Sequence, residues 1–316
     1  MTATESLRFD GKVVIITGAG RGLGRAHALL FGRLGATVVV NDLGGEVRGG
    51  GTSDEPASEV AGEIEAAGGR AIPDVSDVTS YSAMEQLVQS TVERFGKLDV
   101  VISNAGLSHR VPFEDMTPEL FDVMVKAHLY GTFNIMKCTW EHLKAAGRGR
   151  AVLTTGNSLF GGPNAHYSTA KAGIVGLMRS LALQGRPHGI GINAVAPGAY
   201  TRMAAAPTRA GAAAITNDWM EEFTPAWKVS PTYAWLAHSS CDVTGEIFSA
   251  TGGVTKRLLL GQTRGWGTLD PTPEALREHW DEVMDEEGYT LPQDVPADAK
   301  DWKATIEALA GASVDA

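Results

Sequence analysis

Five apolar or β-branched residues, Val13-Val14-Ile15-Ile16-Thr17, run straight into a glycine-rich turn, Gly18-Ala19-Gly20-Arg21-Gly22-Leu23-Gly24, and then into helix-forming sequence as far as about Leu34. This join restricts the fold more than any other stretch. A short uninterrupted apolar run is how a strand buried on both faces reads, and such strands belong to parallel sheets. The glycines let the backbone approach a ligand at the N-terminus of the next helix, where open N–H groups make an anion site. A second run, Thr37-Val38-Val39-Val40-Asn41, ends at Asp42, 24 residues beyond Gly18. An acid there can accept hydrogen bonds from an adenosine ribose, so the pair of strands points to a dinucleotide.

The rest of the chain repeats the alternation. Arg70-Ala71-Ile72, Val100-Val101-Ile102-Ser103, Ala151-Val152-Leu153-Thr154-Thr155, Ile192-Asn193-Ala194-Val195 and Glu246-Ile247-Phe248-Ser249-Ala250 read as strands. Helices are expected over 56–67, 80–95, from Thr117 through His128, and over 166–184. Strand and helix in turn predict an α/β fold, a Rossmann-type doubly wound parallel β-sheet with helices on both faces. The catalytic domain is expected to cover 1–261. An acidic C-terminal extension, 262–316, follows, with two short helices near 273–286 and 299–310. Leu43 to Ser58, with five glycines, reads as a mobile surface loop without chemistry. Ala199 to Pro225, alanine-rich and set between prolines, reads as a substrate lid.

Charge and cysteine content narrow the function classes. The 316 residues carry 37 acids against 27 bases, a formal charge of -10, with no basic run longer than a pair. That argues against nucleic acid or an anionic membrane as partner and for a small-molecule substrate. The two cysteines, Cys138 and Cys241, are too few for a disulfide framework and lack metal-ligand spacing, so no metal site and a reducing compartment, the cytoplasm, are expected. Residues 1–11 have two acids and no apolar stretch and do not read as a signal peptide, and no apolar run reaches the length of a membrane span.

The candidate chemistry lies at Tyr167-Ser168-Thr169-Ala170-Lys171. Positions i and i+4 share a helix face, so the lysine ammonium would lie beside the phenol and draw its pKa from about 10 toward neutrality, as a general base for an alcohol requires. On its own this spacing equally describes a surface tyrosine. Context favours chemistry, because Asn104-Ala105-Gly106 ends the fourth strand and Pro197-Gly198 the sixth, at the carboxyl edge where open parallel sheets bind ligands.

Together these motifs resemble the short-chain dehydrogenase/reductase family over roughly residues 10 to 256. The family's Thr-Gly-x-x-x-Gly-x-Gly is Thr17 to Gly24 here, its adenine-contact pair is similar to Asp77-Val78, its Asn-Ala-Gly to Asn104-Ala105-Gly106, and its Tyr-x-x-x-Lys to Tyr167 and Lys171. The glycine spacing differs from the extended, sugar-nucleotide branch. A narrower resemblance is to the (3R)-hydroxyacyl-CoA dehydrogenase branch found in peroxisomal multifunctional enzyme type 2. It rests on Asn41-Asp42-Leu43-Gly44-Gly45 with its glycine-rich insertion, His128-Leu129-Tyr130-Gly131, Trp140-Glu141-His142 and Arg202-Met203.

The resemblance implies an NAD-dependent oxidoreductase interconverting a secondary alcohol and a ketone, as a homodimer or homotetramer, with acyl-CoA or a hydroxysteroid as substrate. The alternative from another class is a non-catalytic dinucleotide-sensing regulator. Implied cofactor residues are Gly18, Arg21, Gly22, Leu23, Gly24, Asp42, Asp77, Val78, Asn104, Ala105, Gly106, Tyr167, Lys171, Pro197, Gly198 and Thr201. Asp42 favours NAD over NADP by repelling a 2′-phosphate, and Arg21 is the counterweight. Implied catalytic residues are Tyr167 and Lys171, with His128 where most of the family has a relay asparagine. The family's substrate-binding serine has no match: counting from the tyrosine reaches Thr154, and aligning the strand ends reaches Gly156. Ser158, the one serine between the fifth strand and the tyrosine, is the candidate to fill the role, with a turn-stabilising serine as the alternative.

Overall fold

The computed structural model describes residues 6–202 and 218–314. The chain divides into two units, residues 1–257 and 258–316. Residues 203–217, the larger part of the expected lid, lie outside the described residues.

The first unit is built on an eight-stranded sheet in the order β3-β2-β1-β4-β5-β6-β7-β8. Its strands are β1 (Val13–Thr17), β2 (Thr37–Asn41), β3 (Arg70–Asp74), β4 (Val100–Ser103), β5 (Arg150–Thr154), β6 (Gly191–Gly198), β7 (Ile247–Thr251) and β8 (Val254–Leu258). β1 to β7 run parallel, with Ile15 set between Val39 and Val101. β8 returns through Gly252-Gly253, a link so short that it must be antiparallel. The apolar runs are there because both sheet faces are covered: Ile15, Ile16, Val38, Val39, Val101, Ile102, Val152 and Leu153 have no exposed surface. Each such side chain contributes on the order of 1.5–3 kcal/mol by leaving water.

The helices connect the strands and are set by their ends. The first, α1 (Gly22–Arg33), follows the glycine turn, and α2 (Glu55–Ala66) begins with Pro56 in its first turn. The next, α3 (Tyr81–Phe95), is capped by Ser80, whose hydroxyl accepts from the Ala83 N–H (3.2 Å), and stopped by Gly96 at φ 76°. The long helix expected after Thr117 is three pieces: α4 (Pro118–Val125), a π-turn over Lys126–Tyr130, and α5 (Gly131–Ala145). The tyrosine lies on α6 (Ala165–Gly185), and α7 (Asp218–Phe223) and α8 (Ser230–Ala237) precede β7. Neither α8 nor β8 is among the elements expected from the sequence.

β1 and β4 are neighbours although β2 and β3 come between them in sequence. The order in which strands are added to the sheet therefore reverses there, and a crevice opens at their carboxyl ends. The second unit contains α9 (Pro273–Glu278), α10 (Trp280–Met284) and α11 (Val295–Val314). Trp266 stacks on His279 within it, ring centres 4.3 Å apart. Among the described residues no helix is long and apolar enough to cross a membrane.

Candidate active site

The crevice is a cavity of about 640 Å³, within the usual range for small-molecule sites. Gly18 forms its floor. Its φ of 65° suits glycine, and a Cβ there would stand 2.7 Å from the Ala105 Cα. Thr17 fastens the floor to the β4 end, its hydroxyl accepting from the Asn104 and Ala105 N–H groups (3.0 and 3.1 Å). Asn104 returns a bond to the Thr17 carbonyl (3.1 Å). No side chain caps the first turn of α1 and no acid lies in it, so the N-terminus keeps its positive pole beside Gly22 and Leu23, which line the cavity.

Asp42 is fixed by both glycine segments. One carboxylate oxygen accepts from the Gly20 N–H and the other from the Gly44 N–H, each at 2.8 Å. Carboxylate oxygens have further lone pairs, so the acid stays able to accept from a ligand hydroxyl. Arg21 turns its guanidinium to the carbonyls of Gly44 and Gly45 (3.4 and 3.2 Å). Asn41 is occupied by Asp74 and the Ser76 carbonyl.

Most of the expected residues meet at this cavity: Gly18, Arg21, Gly22, Leu23, Asp42, Asp77, Val78, Asn104, Ala105, Gly106, His128, Tyr167, Lys171, Pro197 and Thr201 all line it. Gly24, Gly198 and Ser158 are not among the lining residues. Gly24 serves packing, since a Cβ there would collide with the Gly18 carbonyl oxygen. Gly198 packs against the Thr251 side chain.

Lys171 is buried and donates to the Thr154 carbonyl at 2.7 Å, with its ammonium 5.6 Å from the centre of the Tyr167 ring. Burial brings this lysine down to about 7. Burial also pushes the Tyr167 hydroxyl up to about 12, partly opposed by the Arg110 guanidinium. The lowered tyrosine expected from the i, i+4 spacing is thus not a property of the protein alone, because loss of water outweighs the neighbouring cation.

His128 sits on the π-turn, a helical irregularity that often marks functional sites. Its ring lies 5.3 Å from that of Tyr167, edge to face, and packs so closely on Gly106 that a Cβ there would collide with it. Nε2 is 2.9 Å from the Leu107 carbonyl oxygen and 3.3 Å from the Leu107 backbone nitrogen, whereas Nδ1 is buried without a hydrogen-bond partner. Burial first and the Lys171 charge second hold this imidazole well below its ordinary pKa. The shorter of the two contacts, to the carbonyl, favours the proton on Nε2 and Nδ1 as an acceptor.

Gly156 lies two residues past the end of β5, and a Cβ there would come 3.1 Å from the Tyr167 Oη. The Ser158 Oγ is buried without a partner, and its Cβ stands beside Gly162.

The glycine-rich insertion is more than the surface loop expected. Gly45, Glu46, Val47, Gly49 and Gly50 line the cavity. The insertion is tied to the segment after Gly106: the Ser108 N–H donates to the Val47 carbonyl (2.8 Å), and His109 bonds the Arg48 carbonyl (2.6 Å). Leu107 to Arg110 and Asn164, also on the lining, had not been singled out. The only signal for them was their place directly after Asn-Ala-Gly and directly before the tyrosine helix.

A family model for short chain dehydrogenases matches residues 12–211. The chain belongs to the short-chain dehydrogenase family. As a short-chain dehydrogenase it is an oxidoreductase acting on CH–OH donors. It is 38% identical over 92% of its length to peroxisomal multifunctional enzyme type 2 of Mus musculus, of which it covers 39%. The chain spans between about a third and two-fifths of the length of the first curated relatives it matches. Among solved structures it resembles a short chain dehydrogenase from Mycobacterium avium, at 34% identity and a TM-score of 0.72, covering 88% of this chain and 96% of that one. It also resembles a short chain dehydrogenase from Mycobacterium paratuberculosis bound to NAD, at 28% identity and a TM-score of 0.68, covering 78% and 98%. Among the described residues no group of three His, Cys, Asp or Glu side chains is arranged to hold a metal.

Proposed function

We propose that this short-chain dehydrogenase uses NAD to oxidise the secondary alcohol of a (3R)-hydroxyacyl-CoA thioester, or to run the reverse reduction. The observation that carries the reading is the make-up of one cavity. Tyr167 and Lys171 share it with an uncapped helix N-terminus and with Asp42. The fit to NAD rests on the glycine turn, where Gly18 packs too closely on Ala105 for any side chain and lines the cavity, and on Asp42, held ready for a ribose and hostile to a 2′-phosphate. Gly18, Gly22, Leu23, Asp42, Asp77, Val78 and the Asn104-Ala105-Gly106 segment would hold the dinucleotide. When bound, NAD supplies the hydride acceptor. Tyr167 takes the alcohol proton, and Lys171, in its protonated form, supplies a nearby positive charge that favours the ionised phenol. His128 Nδ1 offers an acceptor for a relay of that proton.

The choice of an anionic thioester rests on charge. In a chain of net charge -10, the cavity lining gathers Arg21, Arg110, Lys171 and Arg202, with Lys126 paired to Asp122 at 2.7 Å, against Asp42, Glu46 and Asp77 as its acids. A positive cavity in an acidic protein favours anionic ligands. A homo-oligomer belongs to the same proposal, supported by Phe121, Tyr130 and Phe133, which are exposed on and between α4 and α5. Two free cysteines fit a reducing compartment such as the cytoplasm.

The test is NADH formation with (3R)- and (3S)-hydroxyacyl-CoA thioesters of increasing length beside hydroxysteroids and simple secondary alcohols. Turnover of the (3R) thioesters above all others is expected. Preference for a steroid or a simple alcohol overturns the substrate, and failure of every alcohol with either cofactor overturns the reaction.

A further inference from the structure

Behind Lys171 lies a buried polar tract that the chemistry so far leaves without a role. Lys171 is gripped twice by the end of β5: its ammonium donates to the Thr154 carbonyl, and its own carbonyl accepts from the Thr155 hydroxyl, both at 2.7 Å. On the β4 side the ladder stops one residue earlier, at Ser103 opposite Leu153. The Thr154 carbonyl is thereby available to the lysine, and Thr154 loses the support of one neighbouring strand. A side chain supplies a substitute. Tyr233 of α8, wholly buried, places its hydroxyl 3.0 Å from the Thr154 hydroxyl.

Tyr233 is itself held. Its ring lies against that of His27, centres 4.0 Å apart, and His27 Nδ1 is 2.8 Å from the Ser230 hydroxyl. His27 belongs to α1, the helix whose N-terminus borders the cavity. Tyr233 does not line the cavity. A buried tyrosine hydroxyl needs a partner, and a threonine whose hydroxyl is claimed has one χ1 well fixed.

We propose that Tyr233 is a positioning residue for Lys171, acting through Thr154. By locking the Thr154 side chain at a strand end bonded on one side only, it holds the carbonyl that sets where the ammonium stands beside Tyr167. The inference rests on Lys171 serving the Tyr167 proton transfer, so its test includes a reading that needs no turnover.

Tyr233→Phe, Thr154→Val and the double variant are compared in the full chain. Tyr233→Phe is expected to lower kcat about fivefold, the scale of one net hydrogen bond, with KM for NAD within about twofold of wild type. The double variant is expected to be no slower than the slower single one, because both remove the same contact. Thr154→Ser, which keeps the hydroxyl, should recover most of the rate that Thr154→Val loses, and this comparison serves also if Tyr233→Phe does not fold. In a crystal structure of Tyr233→Phe, or of Thr154→Val, the Lys171 ammonium should no longer sit on the Thr154 carbonyl. An unmoved Lys171 there, an unchanged kcat in Tyr233→Phe, or losses that multiply in the double variant would overturn the proposal. An inactive wild type would instead overturn the reaction proposed above, and the crystal structure would still decide the role of Tyr233.

Discussion

Lys171 and Tyr167 stand one helical turn apart on α6 and face one cavity, yet the lysine ammonium bonds the Thr154 carbonyl (2.7 Å) and lies 5.6 Å from the centre of the phenol ring. Burial governs both groups in the protein alone, lowering Lys171 to about 7 and raising Tyr167 to about 12. The tyrosine is therefore an acid first, and it becomes a base only once a further positive charge or a higher pH favours its ionised form.

A directional pH dependence follows. Ketone reduction needs the protonated phenol and alcohol oxidation the ionised one. Oxidation should rise as pH increases from about 7 to about 9, less steeply than the phenol alone would give because Lys171 loses its charge above about 7, while reduction holds or falls over the same range. Initial rates in both directions across that interval check this, and an oxidation rate that declines with pH contradicts it.

Asp42→Ala should relax cofactor choice. The substitution removes an acceptor for the ribose and a charge that repels a 2′-phosphate, together worth about 1–3 kcal/mol. It also frees the Gly20 and Gly44 N–H groups that the carboxylate now ties. The ratio of kcat/KM for NAD to that for NADP should drop by about 5- to 150-fold. If wild type already prefers NADP, Arg21 and not Asp42 sets the choice.

Ser158→Ala separates two readings of the missing serine. The side chain is not part of the cavity lining, and Gly156 holds the position beside Tyr167. The expected fall in kcat is less than about threefold, whereas loss of a true oxyanion donor lowers it about 10²- to 10³-fold. A fall of that larger size would mean that Ser158 reaches the substrate during turnover.

Stability should depend on His27. Burial holds this imidazole down to about 3, against about 6.5 in an unfolded chain. Between those values the unfolded chain binds more protons, so stability is lost as pH falls from about 6.5 toward 3, at up to about 1.4 kcal/mol per pH unit for this residue. Urea unfolding of His27→Gln, which keeps a hydrogen-bonding side chain, should give a slope shallower by up to one proton. An unchanged slope contradicts the assignment.

The strands of the sheet interior and the glycine turn were legible because an uninterrupted apolar run followed by glycine has few other uses. β8 and α8 were not legible. β8 carries Thr255, Lys256 and Arg257 on an exposed edge, and α8 is only Ser230–Ala237, apolar nearly throughout, so neither shows a period. In the site, Asp42 was legible because it ends the second apolar run, and Tyr167 and Lys171 because their i, i+4 spacing stands among motifs at the strand ends. The π-turn under His128 escaped notice because its residues continue a helical pattern on either side. The insertion was misjudged because glycine content reads as mobility until the Val47 and Arg48 carbonyls find Ser108 and His109. The raised tyrosine was missed because burial is set by packing from distant segments, which spacing along one helix does not report.

The central claim is that Tyr167 moves the substrate proton while the glycine turn and Asp42 hold NAD. The most direct measurement pairs NAD binding by calorimetry with NADH formation in Tyr167→Phe. The account predicts a Kd within about threefold of wild type together with loss of turnover by at least about 10³-fold. Near-normal turnover in that variant would contradict it.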